Sequence, residues 1–154
     1  MQLPIGLPQS GVSTTKTDDG SVISVVFDAM RADSQPSDQT QSAEATILNF
    51  EVPLVANSQS LVRIEARGFL ATVGAHSWVH AVMWVNGRRM VPISNNGEIS
   101  ENFYAALCVD TAGQSALRVS LTLLAQRDLS LQESSSQIAL DTLDFSLLAI
   151  PPPQ

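Results

Sequence analysis

Two histidines, one cysteine and two tryptophans are the side chains from which most site chemistry in this sequence would have to be built. His76 and His80 are four apart. On a helix that spacing puts both imidazoles on one face and suits zinc. Here they fall in a turn and a β-type run, so ordinary hydrogen-bonded histidines are expected. Cys108 lies in an apolar run (AALCV) with no basic neighbour to lower its pKa, which predicts a buried, inert thiol. Asp141 and Asp144 are three apart in a predicted strand, so they face opposite sides and make no dyad. A pair assembled across strands with Glu51, Glu65 or Asp110 stays open, but nothing in the sequence selects it. There is no Gly-x-Ser-x-Gly elbow and no phosphate-cradling glycine loop. The expectation is a protein that is not an enzyme, with no cofactor and no metal.

The tryptophans sit in the clearest local signal of the chain, WVHAVMWV-NG-RRMVPI over Trp78–Ile93. Asn86-Gly87 between two apolar β-type runs specifies a type I′ hairpin, because both central residues need φ > 0. The turn sets Val85 opposite Arg88, Trp84 opposite Arg89, Met83 opposite Met90, Val82 opposite Val91 and His80 opposite Ile93. One face then carries Trp78, His80, Val82, Trp84, Arg89, Val91 and Ile93. The other carries Val79, Ala81, Met83, Val85, Arg88, Met90 and Pro92. Neither is cleanly polar, so the hairpin is expected to bury one side in its own core and the other against something else. For the tryptophan face three readings stand: a second layer of core, a subunit interface rich in Trp and Arg, and, behind both, a sugar-stacking platform. Trp84 opposite Arg89 predicts a cation–π pair worth roughly 0.5–1 kcal/mol.

The elements that must position these residues are strands. The 154-residue chain suggests one domain, and its 44% hydrophobic content supports a real core. Only 15% of residues are charged, and the net charge is −7. That balance speaks against nucleic acid, whose phosphates need clustered Lys and Arg. A single cysteine rules out an intrachain disulfide, so packing holds the fold. The N-terminus has no basic n-region or continuous apolar h-region, and no stretch approaches the ~20 apolar residues of a membrane helix, so neither a secretory signal nor a membrane span is expected.

In order, residues 1–20 read as an extended arm, since Pro4 and Pro8 forbid helix or central strand. Leu3, Ile5 and Leu7 give that arm apolar contacts to dock on a neighbour. Residues 21–150 read as the folded domain and 151–154 as a Pro-rich tail. Strands are predicted over Ser21–Met30, Ala45–Val55, Leu61–Thr72, the two arms of the hairpin, the second half of Ile99–Val109, Ala116–Ala125 and Ile138–Ile150. Loops or turns are predicted at Arg31–Ser42, Ala56–Ser60, Val73–Ser77, Ser94–Gly97, Asp110–Ser115 and Gln126–Gln137. Leu61–Thr72 alternates most cleanly, with Val62, Ile64 and Ala66 against Arg63, Glu65 and Arg67, and Gly68 marks a bulge or bend. About eight strands at regular spacing predict an all-β, antiparallel two-sheet β-sandwich of jelly-roll type.

The runs FEVPLVANSQSLVRIEARGFLA, WVHAVMWVNGRRM, FYAALCVDTAGQSALRVSLTLLAQ and LDFSLLAI, over roughly residues 45–150, resemble the strand order of trimeric jelly-roll heads. These are the tumour-necrosis-factor and complement-head type and the heads and decoration proteins of tailed phages. The resemblance implies a homotrimer with a structural or binding role and no catalytic residues. The expected function is a virion component made in the host cytoplasm, such as a capsid decoration (cement) protein or a head or tail accessory. The alternative is a carbohydrate- or receptor-binding head, with glycan as its ligand. The expected partners are further copies of the chain and other structural proteins of the assembly. The residues expected at contacts are Leu3, Ile5, Leu7, Trp78, His80, Trp84 and Arg89.

Overall fold

A computed structural model describes residues 1–36, 42–55, 61–90 and 92–148. Among the described residues eleven strands are formed: β1 (Val12–Lys16), β2 (Val22–Phe27), β3 (Arg31–Ser34), β4 (Ala43–Pro53), β5 (Leu61–Val73), β6 (Trp78–Val85), β7 (Arg88–Arg89), β8 (Ile93–Asn96), β9 (Ile99–Asp110), β10 (Ala116–Gln126) and β11 (Ser135–Leu148). The back sheet runs β1-β2-β11-β5-β9, with β3 also paired to β11; the front sheet runs β4-β10-β6-β7, with β8 also paired to β6. Each of these pairings is antiparallel. From β4 onward the chain wraps alternately from sheet to sheet, which is the jelly-roll sandwich the pattern predicts. Among the described residues there is no helix, hence none long and apolar enough to cross a membrane.

The alternating strands behave as their period demands. Val62 and Ile64 of β5, Leu117, Val119, Leu121 and Leu123 of β10, and Leu143 and Phe145 of β11 point inward and are buried. Phe145 meets Phe50 of β4 edge-on at 6.1 Å, a geometry that adds to their burial. The bulge expected near Gly68 lies in the facing strand, where the β11 register shifts between Leu140 and Thr142 opposite Gly68 and Arg67.

The N-terminal 20 residues depart from a free arm. Val12–Lys16 pair with Ile23–Phe27, and Ile5 bridges Glu51 through hydrogen bonds of 2.8 and 2.9 Å. The Met1 side chain is buried, and its ammonium donates to the Gly20 carbonyl at 3.0 Å. For Gln2 and Ile5, which hydrogen-bond to Pro53 and Glu51, the reason is the edge of β4. Its outward N–H and C=O groups need partners, and the chain supplies them itself. The turn that follows β1 is held by Asp19, whose carboxylate accepts from Thr17 Oγ1 at 2.7 Å, Ser21 N at 2.9 Å and Ser21 Oγ at 2.7 Å. The Ser21 N–H first, then the hydroxyls of Thr17 and Ser21, lower its pKa from 3.8 to about 2. A depressed carboxylate adds stability above its unfolded pKa and loses it as the pH falls through the folded one. The difference in melting temperature between the native chain and Asp19→Asn should therefore shrink as the pH drops from about 4 to about 2. A difference that holds constant down to pH 2 would contradict this reading of the turn.

Other polar segments also became strands. Arg31–Ser34, expected as loop, pairs with Ser136–Ala139 of β11, and Ser34 and Ser136 are buried between. The last strand starts at Ser135 instead of Ile138 for the same reason. Ser94–Asn96, expected as turn, continues β8 against Trp78–His80. The hairpin keeps its predicted register at Trp84↔Arg89 and Val85↔Arg88. It then slips by one residue, so that Ala81 faces Ile93 and His80 faces Ser94. Ile93 consequently turns from the predicted tryptophan face to the core side, where it packs as a half-buried residue. A one-residue slip reverses every side chain beyond it. The predicted turn Ala56–Ser60, Val91, the segment after Leu148 and the 151–154 tail lie outside the described residues.

Candidate functional site

The outward face of the front sheet gathers the predicted hairpin residues with others from β4 and β10. The cross-strand register places Ala45, Leu124, His80 and Ser94 in one row, Ile47, Thr122 and Val82 in the next, and Asn49, Ser120, Trp84 and Arg89 in a third. Ile47 is 65% exposed and Trp84 44%. Trp78, His80, Val82 and Leu124 are half-buried. The core side of the same hairpin, Val79, Ala81, Met83 and Val85, is buried. The tryptophan face is thus not a second core layer within the chain.

Charge is confined to one end of this face. Arg118 Nε lies 3.2 Å from Glu51 Oε1, with Arg118 78% exposed. The Arg89 guanidinium stands 5.9 Å from the centre of the Trp84 ring. Asn86, in the left-handed region at φ 48°, makes the turn rigid. Its Oδ1 accepts the Arg118 N–H at 2.8 Å, and its Nδ2 donates to Gln114 Oε1 at 2.7 Å. Around this end lies an open groove of about 960 Å³, bordered by Ile5, Asn49, Glu51, Trp84, Gln114 and Arg118. At the opposite end a hollow of about 780 Å³ is bordered by His76, Trp78, His80, Ser94, Asn96 and Leu124. His80 is hydrogen-bonded to Ser94 Oγ across the strand pair. His76 touches Asp128 through its backbone N–H (3.3 Å), not its imidazole. Asp128 itself is clamped by Ser130 N and Oγ, which hold its carboxyl below its ordinary range. Among the described residues no three His, Cys, Asp or Glu side chains converge as a metal would require.

The back sheet's outward face is the opposite in character. Arg67 Nη1 lies 2.6 Å from Asp144 Oδ2 and its guanidinium 5.6 Å from the Tyr104 ring centre. Arg63 Nη2 donates to Tyr104 Oη at 2.8 Å and to Glu65 Oε1 at 3.2 Å. Tyr104 in turn donates to Glu65. That hydrogen bond first, then the guanidinium charges of Arg63 and Arg67, holds the Glu65 carboxyl below its usual range. Here the polar alternation of β5 is satisfied within the chain. Asp144 finds a partner on β5 rather than in Asp141, which lies at the bulge. Cys108, expected buried, is exposed on this face opposite Arg63, because β9 is an edge strand and its even-numbered side chains look outward.

Of the arm residues, Leu3 is exposed, Ile5 is exposed beside the front-face groove, and Leu7 packs half-buried on the core. The structure therefore brings Ile5, Trp84 and Arg89 to one end of the front face and Trp78 and His80 to the other. Sequence reasoning missed Ile47, Thr122 and Leu124, the centre of the face. Their signal was present as the side of β4 and β10 opposite the core alternation.

No family model and no curated protein matches the chain. Solved structures do match in fold. A chain in the structure of infectious bursal disease virus, Gx strain, aligns with a TM-score of 0.50 at 10% identity, covering 85% of this chain and 32% of that one. The carbohydrate-binding module TmCBM61, solved with β-1,4-galactotriose, aligns at 0.43 and 10% identity over 90% and 83% of the two chains. The CBM36-1 domain of a multidomain xylanase from the hindgut metagenome of Trinervitermes trinervoides aligns at 0.34 and 11% over 78% and 99%. The chain spans about a third of the length of the viral chain it matches. At 10% identity the likeness to the viral chain is one of fold alone.

Proposed function

We propose that the chain is a non-enzymatic structural subunit of a virus particle, working as a homotrimer. The specific role that fits is a phage capsid decoration protein or a head or tail accessory. The observation that carries this reading is the contrast between the two sheet faces. On the back face Arg63, Glu65, Arg67 and Asp144 pair with one another, with Tyr104 and Val26 exposed beside them, while the front face leaves Ile47 and Trp84 exposed and Val82, Leu124 and Trp78 half-buried, nearly free of charge. An apolar surface of that kind, rimmed by Arg89, Arg118 and Glu51, has the composition of a protein interface, where Trp and Arg are the usual anchors. Ile5, bridged to Glu51, extends the same surface at its edge. The fold likeness to a virus chain is in keeping with this role.

A second reading rests on the groove at Trp84. An exposed indole beside Asn49, Glu51, Gln114 and Arg118 offers a stacking surface with hydrogen-bonding groups around it, as a glycan-binding head requires.

One experiment separates them, because the only tryptophans both lie on this face. Acrylamide quenching of their fluorescence should fall as protein concentration rises, since subunit contact covers the indoles. Protection that instead appears in dilute protein on adding neutral oligosaccharides would favour the glycan head. Quenching that responds to neither contradicts both readings.

A further inference from the structure

We propose that β9 is a second contact, at which two copies of this chain pair edge to edge and continue the back sheet across a two-fold axis. This goes beyond the front-face reading and uses a different surface.

The four sheet edges are unequal. β4 is covered by Ile5 at Glu51 and approached by β3, whose Arg31 carbonyl accepts from Thr46 Oγ1 at 2.6 Å. β7 is two residues long, and β1 is five residues long and ends in Lys16. These are the usual ways an edge is closed to other chains. β9 has twelve residues, ISENFYAALCVD, with no Lys, Arg or Pro and an uninterrupted register to β5. Among the described residues, only Arg88 Nη1 reaches its open side, at 3.4 Å from the Cys108 carbonyl. That contact identifies the even-numbered residues as those whose backbone groups face outward, since N–H and C=O of one residue point to the same side.

Packing points to the same edge. Ile64 and Ala66 of β5 are buried, whereas Leu107 and Ala105 opposite them on β9, and Phe103 opposite Gly68, are only half-buried; Val109, opposite Val62, is the one inward residue of this stretch of β9 that is buried. The core is left open along this side of the back sheet, and a further strand would close it.

A second copy fits because the strand is complementary to itself. Antiparallel pairing about Ala105 sets Ala105 against the partner's Ala105 at the non-hydrogen-bonded position, where strands approach most closely, to about 4.5 Å between Cα atoms. Phe103 then faces the partner's Leu107, and Tyr104 faces the partner's Ala106, large against small. Glu101 faces the partner's Val109, so no like charges oppose. The exposed Arg88, already over Cys108, comes beside the partner's Glu101. Shifting the axis to Tyr104 would set two tyrosines against each other.

The register supplies the test. It places Asn102 opposite the partner's Cys108 in a hydrogen-bonded pair, about 5.5 Å between Cα atoms, within the range a disulfide spans. The full chain carrying Asn102→Cys, oxidised with oxidised glutathione, should form a dimer on a non-reducing gel with two disulfides, each joining the introduced thiol of one copy to the partner's Cys108. Thiols held side by side react at millimolar effective concentration, so at about 10 micromolar protein this should run roughly 100-fold faster than in the native chain, which has Cys108 alone. Ser100→Cys, which matches the register about Tyr104, should stay slow. The rate should persist in a Thr122→Lys background, because the front face is not involved. A folded Asn102→Cys chain that crosslinks no faster than the native chain, or no faster than Ser100→Cys, would overturn the proposal.

Discussion

Replacing Gly68 with alanine should destabilise the fold by about 3 kcal/mol, the upper range for forcing a methyl into a packed site, which for a chain of this size is a fall in melting temperature of roughly 6–12 °C. A Cβ at this position would lie 2.1 Å from the Ala139 carbonyl oxygen and 2.6 and 2.7 Å from two atoms of the Phe103 ring. The ring can rotate away, because Phe103 is only half-buried. The carbonyl cannot, because Ala139 belongs to β11, which is paired on both sides, to β5 and to β3. The residue also stands where the β11 register shifts, so the strand cannot slide to make room without undoing the bulge. Thermal unfolding followed by circular dichroism measures the effect. A melting temperature within a degree or two of the native chain would show that β5 and β11 do not approach this closely.

Placing a lysine at Thr122 should weaken association at least ~100-fold, equivalent to about 2.7 kcal/mol, while leaving the fold intact. Thr122 lies between Ile47 and Val82 at the centre of the front face and points outward. In the free chain the new ammonium stays hydrated, and surface changes of this kind alter stability by about 0.5 kcal/mol or less. Once another copy covers the face, the charge is stripped of water with no carboxylate beside it on this face among the described residues, since Glu51 lies beyond Ser120 at the end of the face and is already paired with Arg118. Ser24→Lys, outward on the back sheet opposite Asp144, is the matched control and should associate normally. Equal loss in both variants would mean that general charge, not the front face, governs assembly.

What the residues revealed in advance followed from period and turn chemistry. The alternation of Leu61–Thr72 and Ala116–Ala125 and the Asn86-Gly87 turn were enough to place β5, β10 and the hairpin, and through them the two-sheet sandwich. Three short strands escaped because nothing apolar marks them. RADS is held by a ladder to Ser136–Ala139, far away in the chain, while VSTTK and the Ser94–Asn96 part of β8 are held by the nearby β2 and β6, whose own pattern carries the signal. The hairpin slip is invisible for a related reason. An extra residue between Met90 and Ile93 costs nothing in local propensity, and only the pairing with Ala81 exposes it. Cys108 was misplaced because an apolar run reads as buried on both sides only when a strand is central, and β9 is an edge. The front face was half-readable. Trp78, His80, Trp84 and Arg89 share one strand pair, but their apolar company at Ile47 and Leu124 depends on register across β4, β10 and β6.

The most direct test of the front-face account is the mass of the native protein in solution, by light scattering across a range of concentrations. The account predicts three times the 16.5 kDa chain mass, or a multiple of it where β9 edges also pair, collapsing in Thr122→Lys. A monomer at every concentration, or an assembly that Thr122→Lys leaves unchanged, would contradict it.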